Sequence, residues 1–477
     1  MNFVTTQFVL FFLPVVVLCW YTRCGRAAHL MALCICNYFF YAQTGKWGIA
    51  VLVAVSTTAY LSGLLLARKK IKKRFPTVFV SVGFCVLLLA IFKYHDFMVD
   101  MAKDCGVMLG RSDMIKGLTN SHFVSIAGIS FFTFQAISYI ADVYKGEKIK
   151  KPYSLLEVFA YISFFPTIMS GPIMRASDFV QQVDHPITDS AEIQRGFLLI
   201  LSGLFKKVVL SSYLSEHIVR QVFAAPESYS SAAIAVGIYG YAIQIFCDFS
   251  GYTDLALGVG RLLGYRLPPN FNSPYLATNL KDFWNRWHIS LSSWLRDYLY
   301  IAALGGNRKG KTRTYVNLLL TMLIGGLWHG GAWTFVIWGG LHGLGLVIYH
   351  AFAAYQGKHP SRWLQQPWAK ALAWLLTFHF VCLLWVFFRA DSVDMALTVL
   401  GRLAEGSAEG SGFPLFALAA IGMGICIQQW GKDVMALCLR WQAMLPWQAQ
   451  GVGVGLAASI IMGMGPEGVL PFIYFRF

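Results

Sequence analysis

The sequence predicts an all-α, polytopic membrane protein, and three observations carry that expectation. Only 13% of its 477 residues are charged, against about 25% in an ordinary soluble domain. Hydrophobic residues make up 57% and aromatics 16%, and the apolar residues fall in blocks about 17–25 long, the length a helix needs to cross a bilayer. The 39 Lys and Arg outnumber the 23 Asp and Glu for a net charge of +16, and most of that excess lies between the apolar blocks, as in cytoplasmic loops. A soluble enzyme is excluded. Nucleic-acid binding is not expected, because no aromatic RNA-binding motif or zinc knuckle accompanies the charge.

Taken in chain order, candidate spans lie near 4–22, 27–45, 47–67, 76–94, 122–144, 155–171, 195–214, 229–262, 314–328, 332–352, 370–388, 413–430 and 452–473. The first follows Met1-Asn2-Phe3, which has no basic n-region, and the apolar run from Phe8 to Tyr21 has no A-x-A cleavage site, so it reads as a retained span. The stretch 229–262 is long enough for more than one crossing, and several later segments are too polar or glycine-rich for a simple span. About eleven transmembrane helices are expected, with re-entrant and amphipathic interfacial helices beside them, in one integral membrane domain over 1–477.

The acid-free run Arg68-Lys69-Lys70-Ile71-Lys72-Lys73-Arg74 is placed in the cytoplasm. Counting crossings from it puts Arg23 and Arg26, and Lys145, Lys148, Lys150 and Lys151, on the same side, with the mixed-charge loop from Asp96 to Ser121 outside. The counting stops near residue 155, where Pro166 and Pro172 interrupt the next segment. The stretch Gly401 to Gly412 reads as a loop. Ten cysteines are scattered without a CxxC or a Cys/His zinc spacing, so no metal is expected. No internal repeat supports an inverted-repeat transporter.

The chemistry concentrates in the middle of the chain, where Asp248, Asp254, Arg261, His288, His329 and His342 lie within or beside apolar stretches. Ionisable groups at membrane depth are costly and line cavities or pair with one another. From Lys281 to Tyr298 the pattern reads as one amphipathic helix, with Phe283, Trp287, Leu291, Trp294 or Leu295, and Tyr298 on one face and Asn285, Ser292 and Arg296 turned elsewhere. Gly305-Gly306 supplies its stop. Such a helix suits a membrane surface, but a purely interfacial helix has no need of His288 beside Trp284 and Trp287.

Further on, His329 stands between Gly325-Gly326 and Gly330-Gly331. Glycines let a thin ligand approach the backbone, and an imidazole there suits a general base. Equally, the glycines could serve only close helix packing around a structural histidine, and both readings stay open. His342 and His379 read as structural. Asp248 and Asp254 could pair with Arg261 or cap a broken helix, of which a structural ion pair is the favoured reading, and Lys206-Lys207 either snorkel or help to hold a phosphate. Trp363 and Trp368 read as interface anchors. No Walker motif, GxSxG elbow, HExxH or dinucleotide fingerprint occurs in a credible context.

The runs Asn270-Phe271-Asn272-Ser273-Pro274-Tyr275, Phe283-Trp284-Asn285-Arg286-Trp287-His288-Ile289-Ser290-Leu291, Trp294-Leu295-Arg296-Asp297-Tyr298, Leu304-Gly305-Gly306-Asn307-Arg308 and Gly325-Gly326-Leu327-Trp328-His329-Gly330 together resemble the membrane-bound O-acyltransferase family. Within it the likeness is to the bacterial branch that O-acetylates exopolysaccharides such as alginate and cellulose. The resemblance implies the family fold, a helical bundle around a central tunnel, with residues 244–345 as its catalytic core. It implies His329 and His288 as the catalytic pair, with His288 at a position that is asparagine or aspartate in many lipid- and protein-acylating members. Asn285 stands where related sequences often carry arginine, and Trp328, Asn285, Asp248 and Asp254 are expected to line or support the tunnel.

On this basis acetyl-CoA is the expected acyl donor, its phosphates near Arg308, Lys309, Lys311 and Arg313. The expected location is the bacterial cytoplasmic (inner) membrane, among its lipids. A periplasmic SGNH-hydrolase-like acetyltransferase is the expected partner and an exopolysaccharide the final acceptor. The alternatives are a lipid or teichoic-acid carrier as acceptor, or a non-enzymatic transporter of polymer or acyl groups.

Overall fold

The structure, a computed structural model, describes residues 3–68, 74–108, 126–308 and 310–466. Lys69 to Lys73 of the basic run, residues 109–121 of the expected outer loop, Lys309 and the end of the last candidate span lie outside the described residues, while Asp96 to Met108 of that loop belong to a helix. Among those described, regular structure is helical, apart from an isolated parallel bridge between Tyr229 and Ser411. The chain forms two compact units, one of residues up to Thr188 together with Gly260–Leu267, the other of Asp189–Val259 with the residues from Pro268 on.

The first unit holds α1 (Thr6–Tyr21), α2 (Arg26–Ala42), α3 (Lys46–Ala67), α4 (Arg74–Met108), α5 (Ile129–Lys145), α6 (Leu155–Ile162), α7 (Phe165–Ile168) and α8 (Ala176–Asp184). Helix α5 is buried on nearly every face, which makes it the centre of this unit. The segment around Pro166 breaks as its prolines predict, into an 8-residue and a 4-residue helix, both too short to cross a bilayer. Asn37 of α2 holds that break, donating to Ala160 O at 3.2 Å and Ser163 Oγ at 3.3 Å and accepting from Phe165 N–H at 3.1 Å.

The returning stretch Gly260–Leu267 is tied into this unit by side chains. Trp20 Nε1 donates to Leu262 O at 2.9 Å, Arg23 donates to Leu263 O, and His29 Nε2 lies 2.9 Å from the Tyr265 hydroxyl. The indole and the guanidinium meet carbonyls that the end of a helix leaves without intrahelical partners.

The second unit opens with α9 (Ser190–Leu204). It continues through a π-helical stretch, Phe205–Ser211, a single turn α10 (Ser212–Leu214), a second π-helical stretch, Ser215–Val219, and α11 (Arg220–Ala224). Then follow α12 (Ser231–Leu262), α13 (Leu280–Arg286), α14 (Ile289–Trp294), a third π-helical stretch Leu295–Ala303, α15 (Lys311–His329), α16 (Trp333–Lys358), α17 (Pro367–Arg389), α18 (Val393–Glu405), α19 (Leu415–Ala443) and α20 (Trp447–Gly463). The expected loop after Gly401 begins at Gly406, which ends α18 in the left-handed region.

Helices α9 and α12 touch backbone to backbone: a Cβ on Gly203 would lie 2.6 Å from Gly251 O, and one on Gly258 2.6 Å from Gly196 O. The two acids of α12 meet lysines of the first π-helical stretch, Lys207 Nζ to Asp248 Oδ1 and Lys206 Nζ to Asp254 Oδ2, both at 2.5 Å. This corrects the expectation that pairs them with Arg261. Arg261 is seven residues beyond Asp254 on the same helix, about 10 Å along the axis, so a crossing helix supplies nearer cations.

Seven of the described helices are long and apolar enough to cross a membrane, and the chain is a multi-pass membrane protein. Helices α2, α5, α15, α19 and α20 occupy further segments read as spans.

Candidate active site

Helices α15 and α16 run antiparallel with almost no space between their backbones. A Cβ on Gly326 would sit 2.3 Å from Phe335 O, and one on Gly339 2.4 Å from Met322 O, so glycine is required at this crossing. The contact sets the last turn of α15 against the first turns of α16 and places His329, the last residue of α15, against Trp338. The His329 ring meets Trp328, Trp338 and Phe388 edge-on, at centroid distances of 4.9, 5.1 and 5.0 Å. Gly330 ends the helix in an extended conformation, and a Cβ on it would lie 2.3 Å from the Phe335 ring. Close packing and an opening therefore coexist at His329.

The opening is a cavity of about 630 Å³ that contains His329, Trp338 and Asn285 in its wall. On α16 its lining runs from Trp338 to Leu346 and His350, twelve residues or about 18 Å of helix. At the end away from His329 stand Arg308 and Asn307, on a turn fixed to α15 by Asn317, whose Nδ2 donates to Leu304 O at 3.0 Å and Gly306 O at 2.9 Å. Gly305 and Gly306 stop the preceding helix as expected, both with positive φ. Lys281 and Arg296 also line the cavity. Arg296 is held by Asp297 at 2.8 Å, whereas Lys281 and Arg308 have no counter-ion among the described residues.

The single amphipathic helix read from Lys281 to Tyr298 is instead two helices. Its register of burial holds, since Phe283, Trp287, Leu291, Trp294, Leu295 and Tyr298 are all buried, while Asn285, Ser292 and Arg296 face the cavity. The break falls at Trp287 and His288, where Trp287 is extended and His288 adopts φ 43°, ψ 54°. A residue with a Cβ disfavours that left-handed region, so no periodicity argument could place it there. The His288 ring is fully buried, meets Phe249 edge-on at 4.6 Å and lies 5.9 Å from Trp328.

Of the residues singled out from sequence, His329, Asn285 and Arg308 come together on one cavity. Trp328 is not in its wall but touches both histidines. His288 is not in its wall, and its ring lies 5.9 Å from that of Trp328. Asp248 and Asp254 stand away from it in their ion pairs. Lys311 and Arg313 lie exposed in the first turn of α15 without reaching the cavity wall.

His342 is enclosed by rings of Phe283, Trp284, Trp338 and Phe380, and His379 Nδ1 lies 2.8 Å from Leu375 O. Trp363 and Trp368 stack at 5.7 Å on the exposed surface. Sequence reasoning missed Lys281, Trp338 and His350 as cavity residues, although the one-turn spacing of Trp338, His342, Leu346 and His350 marks one helix face. No group of three or more His, Cys, Asp or Glu among the described residues could hold a metal ion.

Comparison with known proteins bears on the same region. Residues 33–388 match the family described as MBOAT, membrane-bound O-acyltransferase. The probable alginate O-acetylase AlgI of Pseudomonas aeruginosa is 36% identical over 400 residues, covering 83% of this chain and 73% of the relative. The peptidoglycan O-acetyltransferase of Helicobacter pylori is 35% identical over 430 residues, covering 83% and 79%. The teichoic acid D-alanyltransferase of Bacillus subtilis is 32% identical over 271 residues, covering 55% and 68%.

Proposed function

Because this chain belongs to the membrane-bound O-acyltransferase family and is an O-acyltransferase, we propose that it draws acetyl groups from cytoplasmic acetyl-CoA and passes them across the bacterial cytoplasmic membrane for O-acetylation of an exopolysaccharide. The observation that carries the reading is the cavity, with cations at one end and His329 about 18 Å away at the other. A long thin donor with an anionic head and a reactive thioester tail fits that arrangement.

Lys281 and Arg308 receive the phosphates of the donor, supported by Arg296. Lys311 and Arg313 add charge at the start of α15, which has no acid in its first turn. Cations there are unfavourable for the helix dipole by themselves and become favourable when an anion arrives. The same basic cluster supports a cavity mouth on the cytoplasmic side.

At the other end His329 acts as general base. The acceptor hydroxyl oxygen attacks the thioester carbonyl carbon while its proton passes to the imidazole. The carbon–sulfur bond then breaks, and the departing thiolate takes the proton back from the imidazolium. Trp338, Phe388 and Trp328 keep bulk water from the thioester, which would otherwise be hydrolysed. His288 acts from beside Trp328. A periplasmic SGNH-hydrolase-like protein then carries the acetyl group to the polysaccharide, alginate-like or cellulose.

The test is purified protein in proteoliposomes with radiolabelled acetyl-CoA, comparing wild type with His329→Ala. Loss of general base catalysis lowers transfer by about 10²–10⁴-fold while the variant remains in the membrane. Near-normal transfer by His329→Ala removes the assignment, and the absence of both hydrolysis and transfer in the wild type favours a transporter. Cells lacking the chain reveal the acceptor by which glycan loses acetyl esters, an exopolysaccharide on this reading and peptidoglycan or teichoic acid otherwise.

A further inference from the structure

We propose that Asn270 is a positioning residue that holds the His288 elbow in its strained form, an inference that rests on His288 taking part in acyl transfer as read above. His288 and Ser273 are the non-glycine residues with positive φ among the described residues. A left-handed histidine persists only where its surroundings over-determine it.

Those surroundings converge on Asn270, which is fully buried. Its carbonyl accepts from Ile289 N–H at 2.9 Å, and its side-chain oxygen accepts from Ser290 N–H at 3.2 Å. Its amide nitrogen donates to Thr253 Oγ1 at 3.5 Å. Two residues on, Asn272 N–H donates to Arg286 O at 3.0 Å. Residues 270–272 thus bridge the gap between α13 and α14 from end to end.

The first N–H groups of a helix have no intrahelical partners. His288 occupies the cap position of α14 but makes no side-chain cap bond. Asn270 supplies the cap from another segment, which leaves the imidazole free to stand against Phe249 and Trp328. Thr253, which anchors Asn270, lies one turn from Phe249 on α12. One helix therefore provides both the wall beside the imidazole and the anchor of its clamp. An amide suits the task because it accepts and donates at once.

The experiment measures kcat and KM for acetyl-CoA on the full-length protein, for wild type, Asn270→Ala, His288→Ala and the double variant, with Asn270→Asp as the conservative replacement. Misplacing the elbow by an ångström lowers kcat by about 10²-fold, with KM for acetyl-CoA unchanged because Asn270 is not in the cavity wall. Asn270→Asp, which keeps an oxygen for Ser290 N–H, recovers most of that loss. In the His288→Ala background Asn270→Ala has no further effect, since both act through one group.

An equal loss from Asn270→Ala in both backgrounds, or no loss in either, overturns the role given to Asn270. Near wild-type turnover by His288→Ala overturns the reading of His288 itself. Where Asn270→Ala does not yield folded protein, Thr253→Val removes the anchor instead, and a fall in kcat that persists undiminished beside His288→Ala overturns the proposal in the same way.

Discussion

The pair Lys207–Asp248 offers a prediction whose size follows from its geometry. Its ammonium and carboxylate lie 2.5 Å apart, with side chains 1% and 7% exposed, and Ser211 Oγ stands 3.5 Å from the same carboxylate oxygen. At an effective dielectric constant of about 20 the direct attraction at this distance is roughly 6–7 kcal/mol, and much of it offsets the desolvation of both ions. Removing one partner by Lys207→Met or Asp248→Leu takes the ion-pair counterpart from a buried charge and costs about 3–5 kcal/mol. At ~2 °C per kcal/mol for a large domain, each variant melts roughly 6–10 °C below wild type. The double variant no longer has this pair to bury and is neutral or more stable by about 1–4 kcal/mol, so its melting temperature returns to the wild-type value or above. Thermal unfolding in detergent, followed by tryptophan fluorescence at fixed protein and detergent concentration, measures all three. Single variants that melt with wild type, or a double variant that melts with the singles, refute the reasoning.

Two further predictions concern other charges. Lys281→Ala and Arg308→Ala each raise KM for acetyl-CoA about two- to five-fold with kcat unchanged, the value of one exposed cation near 0.5–1 kcal/mol. The wild-type KM rises with ionic strength and that of the double variant does so less. In the first unit burial would raise the Glu157 carboxyl, but hydrogen bonds from Ser154, which form a capping box, and the Arg26 guanidinium outweigh it and hold it below its ordinary 4.5. A depressed carboxylate stabilises the fold above its unfolded pKa, and that contribution is lost as pH falls through the lower folded value. The gap in melting temperature between wild type and Glu157→Gln is therefore full at neutral pH and closes below pH 4.5.

Positions of helices were legible because they rest on composition and period. The apolar block at 370–388 becomes α17, Pro367–Arg389, and the block at 332–352 becomes α16, Trp333–Lys358. Burial of Phe283, Trp287, Leu291 and Tyr298 was legible for the same reason. The break at His288 was not, because a left-handed histidine is a tertiary outcome: its clamp, Asn270, lies eighteen residues earlier, and local propensity points the other way. The ion partners of Asp248 and Asp254 were illegible for a related reason. Nothing in the one-dimensional pattern says that Gly203 and Gly251 let two backbones meet, or that a π-helical stretch turns Lys206 and Lys207 toward α12.

The two catalytic candidates consequently differ in what they can reach. His329 is in the wall of the cavity and meets whatever fills it, whereas His288 is fully buried and is not among the wall residues, its ring 5.9 Å from that of Trp328. On the proposed reading the donor thioester is thus served by His329 alone. His288 acts through Trp328 or on the acceptor side, and the loss from its removal falls on the step in which the acceptor is engaged rather than on donor binding. The strained elbow is consistent with that division, because backbone strain is retained where a side chain must be aimed and would be relaxed by any residue whose only duty was to fill space.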